Sequence, residues 1–278
     1  METFRDFLEI CSRYGLRCWI AYGGLIGTVR HHGMIPWDDD IDVYLPREDF
    51  NRLLSLRGEI ASGGKYCIYT MEDRDYYCPY PKFCSMSNTL WEEKRHPFIL
   101  GAFLDLFPLD MSDGDLDEAE RRRSGAWETF AKYERASRKY TAADFFNCLV
   151  SGKFRYLARI IKDTFVFRPH LEKYRQAVLD YDRKIQTYKG GHYSYYYGMY
   201  GGRRETFPKE WFSETLMLDY EDIKVPVPSG YDSILRRVYG DYMTPPPPEK
   251  QVSNHSVYFM DVRNRLSKKQ IEEIIKRG

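Results

Sequence analysis

AYGGLIGTVRHHGMIPWDDDIDV, residues 21–43, is the stretch of sequence that decides the fold. It ends with a cluster of aspartates, of which Asp40 and Asp42 alternate with apolar residues. Successive side chains of a strand point to opposite faces, so this alternation predicts a half-buried strand with both carboxylates on one face. Asp38 is in phase with them but follows a proline and a tryptophan, which indicates a loop entering the strand. Asp39 is expected to point the other way.

The aspartate pair suits a metal ion. Carboxylates held side by side repel each other, and Mg²⁺ typically takes one or two carboxylates together with phosphate oxygens of a substrate. The pair therefore predicts a site for Mg²⁺ or Mn²⁺. A solvated acidic loop is the usual meaning of a charge run, but the alternating apolar residues argue against it. An EF-hand loop would need glycine at its sixth position, where this chain has Val43.

The glycine pair at the other end suits a phosphate. Gly23 and Gly24 follow a short apolar run, Cys18–Tyr22, and precede a segment that can form a helix, Leu25–His32. In a strand, glycine turn and helix, backbone N–H groups and the helix N-terminus favour a bound phosphate. A glycine pair alone is more often only a turn, but the aspartate strand downstream strengthens the interpretation. We expect the two glycines and Thr28 to place phosphates.

This combination of motifs resembles a known family. A glycine pair followed by a D-x-D strand is similar to the nucleotidyltransferase superfamily, and the fuller string GGLIGTVRHHGMIPWDDDID resembles the LicD family, to which fukutin-related protein is related. The F-x-D-x-F-P-L-D string of residues 103–110 and the Y-G-D-Y-M…P-P pattern of the tail extend the resemblance. It covers residues 15–110 and 206–250. It implies a metal-dependent transferase that uses a CDP-linked alcohol.

Asp105 is the third candidate acid. It lies in an apolar strand, Gly101–Leu106, where a carboxylate is costly unless it is paired or bound. Backbone groups or a nearby lysine could satisfy it, or it could join Asp40 and Asp42 as a third metal ligand. It would then bind the metal nearest the acceptor hydroxyl or accept that hydroxyl's proton. Asp110, which follows the proline of the same string, is expected to cap or turn the chain.

The chemistry that these residues and the resemblance predict is phosphoryl transfer by metal ions. The three acids would hold Mg²⁺ or Mn²⁺ against the pyrophosphate of a CDP-alcohol, with Arg30 and Lys82 neutralising the developing charge. CMP would leave, and a phospho-alcohol such as phosphocholine would remain on a hydroxyl of a cell-surface glycan or its precursor. The alternatives are a nucleotidyltransferase that moves NMP to a small molecule or sugar, a non-catalytic metal- or nucleotide-binding module, and a membrane-surface adaptor. The presence of Asp105 argues against the binding module.

Composition limits the class of protein. A net charge of +1 over 278 residues gives no overall field that would attract nucleic acid. The six cysteines lack metal-binding spacing, which favours reduced thiols in a cytoplasmic protein. The N-terminal METFRDFLEI is typical of an amphipathic helix rather than a signal peptide. We therefore expect a cytoplasmic enzyme.

The expected fold class is α+β, a nucleotidyltransferase-like mixed β-sheet flanked by helices. We expect a catalytic core at 1–111, a helical insertion at 112–189 and an aromatic, proline-rich C-terminal region at 190–278 that packs on the core. Within the insertion, residues 145–166 carry apolar residues at helical spacing beside lysines and arginines. A core-facing helix is the usual meaning of such a stripe. Peripheral contact with an anionic membrane, at the inner membrane face, is the alternative.

The segment Gly190–Phe212 is rich in tyrosine and glycine. Its tyrosines could stack on a sugar or surround a quaternary ammonium group through cation–π contacts. Core packing and a β-hairpin are equally compatible with the pattern. Whether this segment contacts the donor or the acceptor stays open.

Overall fold

The computed structural model describes residues 1–253 and 257–277. Residues 254–256 and Gly278 belong to the expected C-terminal region but lie outside the described residues. The helices are α1 Glu2–Tyr14, α2 Tyr22–Arg30, α3 Arg47–Ser55, α4 Arg57–Ser62, α5 Leu116–Ser137, α6 Ala142–Val150, α7 Phe154–Lys162, α8 Leu171–Ile185, α9 Tyr231–Tyr239 and α10 Lys268–Arg277. The strands are β1 Trp19–Ile20, β2 Asp42–Pro46, β3 Tyr66–Tyr69, β4 Lys82–Ser85, β5 Thr89–Trp91, β6 Phe103–Ser112, β7 His192–Ser194, β8 Thr206–Pro208, β9 Thr215–Tyr220, β10 Ile223–Pro228 and β11 Phe259–Asp261.

A seven-stranded mixed sheet forms the centre of the fold, which confirms the expected α+β class. Its main path runs β1-β2-β6-β4-β3, and β7 pairs with the end of β6 and with β8. β2 is parallel to β6, whereas β4 is antiparallel to it. The register places Asp42 opposite Asp105 on one side and Lys82 opposite Asp105 on the other. Three polar residues distant in sequence therefore lie side by side across adjacent strands.

β6 is longer than the strand predicted at Gly101–Leu106. It continues to Ser112, and its last three residues pair with β7. Strands from the expected core and the expected C-terminal region thus share one sheet. The division of the chain into three parts stays a prediction.

α2 begins earlier than predicted. The helix starts at Tyr22, so Gly23 and Gly24 lie in its first turn and not on a separate turn before it. A Cβ atom on Gly24 would lie 2.7 Å from Cγ1 of Ile20, so this glycine lets the helix approach β1 closely. The strand of the D-x-D motif also begins later than predicted, at Asp42.

The expectation that Asp110 caps or turns the chain is wrong. Asp110 lies within β6 and is buried, and its two carboxylate oxygens accept hydrogen bonds of 2.7 and 2.8 Å from Arg47 on α3. Arg47 also donates to Asp182 on α8 at 2.8 Å. Strand residues five positions apart point to opposite faces, so this ion network lies on the face of the sheet away from Asp105.

The expectation of a core-facing helix over 145–166 is also wrong. The segment is broken into α6 and α7 by a turn in which Gly152 has a φ of +66°, a left-handed conformation that favours glycine. Most of the predicted apolar stripe is exposed, including Phe146 and Phe154. In the part of the chain that the structure describes, no helix is long and apolar enough to span a membrane. The cytoplasmic location stays a prediction.

Candidate active site

Three aspartates meet at the sheet. Asp40, Asp42 and Asp105 each offer a carboxylate oxygen, and these oxygens lie within 4.8 Å of one another. Burial raises the pKa of Asp42 well above its usual value, and the neighbouring carboxylates of Asp40 and Asp105 raise it further. A bound divalent cation would relieve this repulsion with the oxygen ligands that Mg²⁺ prefers. The residues present therefore fit the metal that the sequence predicts.

Lys82 lies behind this cluster. Its Nζ donates to Asp105 Oδ1 at 2.7 Å and lies 3.7 Å from Glu92 Oε1. Burial opposes its charge, but the carboxylates of Asp105 and Glu92 outweigh this effect and raise the pKa of Lys82. Its side chain is buried and does not line the cavity described below, so in this structure Lys82 neutralises Asp105. Its role toward a substrate phosphate stays a prediction.

The three aspartates line a cavity of about 540 Å³, a size typical of small-molecule sites. Its walls are rich in aromatic and acidic side chains and come from the sheet, α2, α5 and the C-terminal region. Arg30 and Lys250 are the basic residues on these walls among the residues described. The aromatic residues of the walls include Tyr22, Trp37, Tyr80, Phe107, Tyr195, Tyr197 and Tyr200.

The predicted phosphate-binding residues do not all face this cavity. Gly23 and Arg30 line it, whereas Gly24 and Thr28 do not. The buried Thr28 hydroxyl donates to the Gly24 carbonyl at 2.8 Å, so it is used within α2. The Arg30 guanidinium donates to the carbonyl of Tyr242 at 2.6 Å, which fixes it in the cavity wall.

Asp38 lies at the N-terminus of α2. A Cβ atom on Gly23 would lie 2.1 Å from Asp38 Oδ2, so any larger residue would displace this carboxylate. An acid is favourable at a helix N-terminus because the backbone N–H groups carry partial positive charge. Asp38 thus lies where a phosphate was expected, and it also lines the cavity beside the three-aspartate cluster.

Two tyrosine hydroxyls in the cavity wall were not singled out by the sequence. The hydroxyls of Tyr195 and Tyr197 are buried, and neither has a hydrogen-bond partner within the described residues. A buried polar group left unpaired costs about 1–3 kcal/mol, and such groups are rare in folded proteins. The titratable groups around Tyr195 include Tyr80, Glu205 and Asp105 at the cavity. Those around Tyr197 include Asp182 and Arg47 of the ion network on the far face of the sheet, so Tyr195 is the one that lies beside the candidate site. The tyrosine-rich composition of 190–212 drew attention to the segment but could not identify these two side chains.

Glu205 is a buried carboxylate that the sequence analysis missed. It accepts hydrogen bonds from the Tyr22 hydroxyl and from the backbone N–H groups of Tyr200 and Gly201, the latter two at 3.0 Å. It therefore holds two cavity-lining tyrosines in place. Tyr22 needs such support because its φ of +43° is uncommon for a residue other than glycine. No local pattern distinguishes this acid from a solvated one in the sequence.

Glu205 should make stability depend on pH. Burial raises its pKa to about 7, although the hydrogen bonds that it accepts oppose the rise. Between about pH 4.5 and 7 the folded protein holds a proton that the unfolded chain releases, so this group's contribution to stability is lost as the pH rises. The free energy of unfolding of Glu205→Gln, minus that of the wild type, should rise by up to about 3 kcal/mol across this window. Urea unfolding at several pH values measures this difference, and parallel curves for the two proteins would refute it.

Comparison with known proteins assigns this arrangement to a family. Residues 15–132, which include all three aspartates, match the family model described as LicD/FKTN/FKRP, nucleotidyltransferase domain. The protein carries a LicD-family domain. Outside this LicD domain lie α6 to α10 and the tyrosines at 195 and 197, so the matched region alone does not complete the cavity.

Similarity to individual proteins extends beyond the LicD domain. The lipopolysaccharide cholinephosphotransferase LicD of Haemophilus influenzae is 28% identical over 257 residues, which cover 90% of this chain and 90% of that protein. An uncharacterized protein of Rickettsia prowazekii is 26% identical over 64% of this chain and 68% of its own length. The human ribitol 5-phosphate transferase FKRP is 39% identical over 60 residues, or 22% of this chain and 12% of that protein.

Proposed function

We propose that this protein transfers a phospho-alcohol group, such as phosphocholine, from a CDP-linked donor to a hydroxyl of a glycan or glycan precursor. The reaction would require Mg²⁺ or Mn²⁺ and would release CMP. One relative is named a cholinephosphotransferase and another a ribitol 5-phosphate transferase. Both names describe the transfer of a phosphate group that carries an alcohol, which supports a phosphotransferase enzyme here.

The observation that carries the proposal is the cluster of Asp40, Asp42 and Asp105 in the wall of an aromatic cavity. Three carboxylates whose oxygens lie this close are costly without a cation, and the cavity has room for a nucleotide-sized ligand. The Lys82 ion pair with Asp105 holds one of the three in a fixed position. The arrangement therefore suits chemistry on a charged phosphate rather than passive packing.

In the proposed step the acceptor oxygen forms a bond to the phosphorus of the alcohol phosphate. The bond between that phosphorus and the oxygen of CMP breaks, and the acceptor hydroxyl loses its proton. The three aspartates would hold a divalent cation, which would neutralise charge on the donor's pyrophosphate. Asp105 is the candidate to lie nearest the acceptor hydroxyl or to accept its proton. The aromatic walls would exclude water, which competes with the acceptor for the same phosphorus.

Product analysis tests this proposal. Purified protein with Mg²⁺ would be incubated with CDP-choline, CDP-ribitol or CDP-glycerol and a panel of glycans, and the products identified by mass spectrometry. We expect CMP and a glycan heavier by one phospho-alcohol group with one of these donors. Parallel reactions with CTP test NMP transfer, since that reaction would release pyrophosphate and leave CMP on the acceptor. The absence of any product from the CDP-alcohols would refute the proposal.

The unpaired tyrosine hydroxyls provide a second test. Tyr195→Phe removes a hydroxyl that lacks a protein partner, so the free energy of unfolding should stay the same or rise by up to about 1 kcal/mol. If the hydroxyl binds substrate, KM for the donor or acceptor should rise about tenfold, which corresponds to one hydrogen bond. Steady-state kinetics and urea unfolding measure the two effects.

Tyr196→Phe is the matched control. The Tyr196 hydroxyl donates to the Met111 carbonyl at 3.5 Å, and this side chain does not line the cavity. Its loss should lower stability slightly and leave KM unchanged. Equal KM values for Tyr195→Phe and the wild type would show that the Tyr195 hydroxyl does not contact either substrate.

A further inference from the structure

The hairpin formed by α6 and α7 carries a surface that the proposed activity does not use. The two helices are joined at Gly152, and α7 continues directly into a π-helical turn at Asp163–Phe167. Only Cys148, Ile160 and Asp163 are buried along these elements. A few others, such as Phe145, Tyr156 and Phe167, are half-buried, and most of the remaining residues are exposed.

Large apolar side chains dominate this outward surface. Phe146, Phe154 and Phe165 are 65%, 65% and 67% exposed, values unusual for phenylalanine in a folded protein. They belong to a contiguous stretch with three further exposed aliphatic residues, Leu149, Val150 and Ile161. Exposed apolar patches of this extent mark sites of interaction with a partner or a membrane.

Basic residues lie directly beside this apolar stripe. In α7 and the turn after it, Phe154, Ile161 and Phe165 recur at spacings of seven and four, which places them near one helix face. Arg155 and Lys162 each follow one of them by a single position and are exposed. Arg159, also exposed, extends the same basic border, and the exposed Lys153 lies at the N-terminus of α7 on the other side of the stripe.

The acids of the hairpin do not offset this charge on its surface. Asp163 is buried and accepts hydrogen bonds from Arg135 Nε at 2.8 Å and from the Tyr140 hydroxyl at 2.9 Å. Asp144 caps α6 by accepting from the backbone and hydroxyl of Thr141, both at 2.7 Å. The ion pair between Asp163 and Arg135 also anchors the hairpin to α5. The apolar stripe is therefore exposed on a folded and anchored part of the protein.

We propose that the α6–α7 hairpin binds the surface of an anionic membrane. An apolar stripe bordered by lysine and arginine is the pattern of helices that lie in the plane of a bilayer, with apolar side chains among the acyl chains and cations among anionic headgroups. A second copy of the chain fits less well, because a twofold contact through this surface would bring the two basic borders together. The proposal is independent of the transferase activity.

Vesicle co-sedimentation of the full chain tests the proposal. We expect binding to vesicles of phosphatidylglycerol and phosphatidylcholine in equal parts, with much weaker binding to phosphatidylcholine alone and weakening at high salt. The triple variant Phe146→Ser, Phe154→Ser, Phe165→Ser should bind at least about tenfold more weakly. Circular dichroism and thermal melting show whether this variant is folded.

Two further variants make the result specific. Met217→Ser, Met260→Ser, Val262→Ser removes exposed apolar residues elsewhere and should bind vesicles like the wild type. Arg155→Glu, Arg159→Glu, Lys162→Glu keeps the apolar stripe but should lose the preference for anionic vesicles. Failure of the wild-type protein to bind either vesicle would overturn the proposal. Self-association that the phenylalanine variant abolishes, seen by sedimentation equilibrium without vesicle binding, would assign the surface to a second copy instead.

Discussion

Asp42→Asn is expected to lower kcat for phospho-alcohol transfer by about 10³-fold or more, because it removes a carboxylate at the centre of the three-aspartate cluster. The same change should not destabilise the metal-free protein. Burial raises the pKa of Asp42, and two neighbouring carboxylates raise it further, so a neutral amide removes both the cost of burying the charge and the repulsion. We therefore expect the free energy of unfolding without metal to stay the same or rise, as at many functional sites where activity and stability conflict.

Three measurements separate these effects. Kinetics with excess Mg²⁺ gives the loss of rate, titration with Mn²⁺ followed by electron paramagnetic resonance gives the loss of metal affinity, and urea unfolding gives the stability. Asp222→Asn is the control, since this carboxylate is 67% exposed, pairs with Arg5 at 2.7 Å and does not line the cavity. It should change the rate less than tenfold and leave Mn²⁺ affinity near that of the wild type. Unchanged Mn²⁺ affinity in Asp42→Asn would remove this aspartate from the metal site.

The acids of the site could be found from sequence because each carries a local signal. Asp40 and Asp42 alternate with apolar residues, and Asp105 is an acid within an apolar strand. The parallel pairing of β2 with β6 brings them together, because it places Asp42 opposite Asp105, 63 positions further along the chain. No local pattern determines such pairing, and here the family resemblance supplied the link.

Other features could not be predicted because they depend on what a side chain meets after folding. The apolar stripe of 145–166 has a helical period, but the period does not tell whether another element covers it. The structure leaves Phe146 and Phe154 exposed, so the usual interpretation failed. Glu205 is the opposite case, since an acid in a glycine- and arginine-rich stretch is buried by tyrosines from elsewhere.

The F-x-D-x-F-P-L-D string shows how one motif carries two different roles. Asp105 and Asp110 are five residues apart in β6, so they lie on opposite faces of the sheet. Asp105 and Phe107 line the cavity, whereas Asp110 binds Arg47 on the far face. The sequence distinguishes the two acids only by the proline before Asp110, which misassigned that residue to a turn, whereas the alternation along one continuous strand assigns Asp105 to the candidate chemistry and Asp110 to the architecture.

Asp110→Asn is accordingly expected to lower the free energy of unfolding by about 3 kcal/mol or more. The carboxylate is buried and forms both hydrogen bonds to the largely buried Arg47 guanidinium. An amide cannot accept at both of its terminal atoms, so the change leaves a buried cation with half of its pairing lost. Because the network joins α3, β6 and α8, the loss should affect the cooperative unfolding of the whole sheet, as urea unfolding followed by circular dichroism would report.

Asp182→Asn is the matched control for this prediction. The Asp182 side chain is 32% exposed, and Arg47 would keep both bonds to Asp110, so the expected loss is only about 1 kcal/mol. The double change Arg47→Met, Asp110→Leu removes both charges and should be less destabilising than Asp110→Asn alone, because the cost lies in leaving a buried charge unpaired. If Asp110→Asn and Asp182→Asn cost the same, burial of the pair contributes nothing, and the network is no more than a surface ion pair.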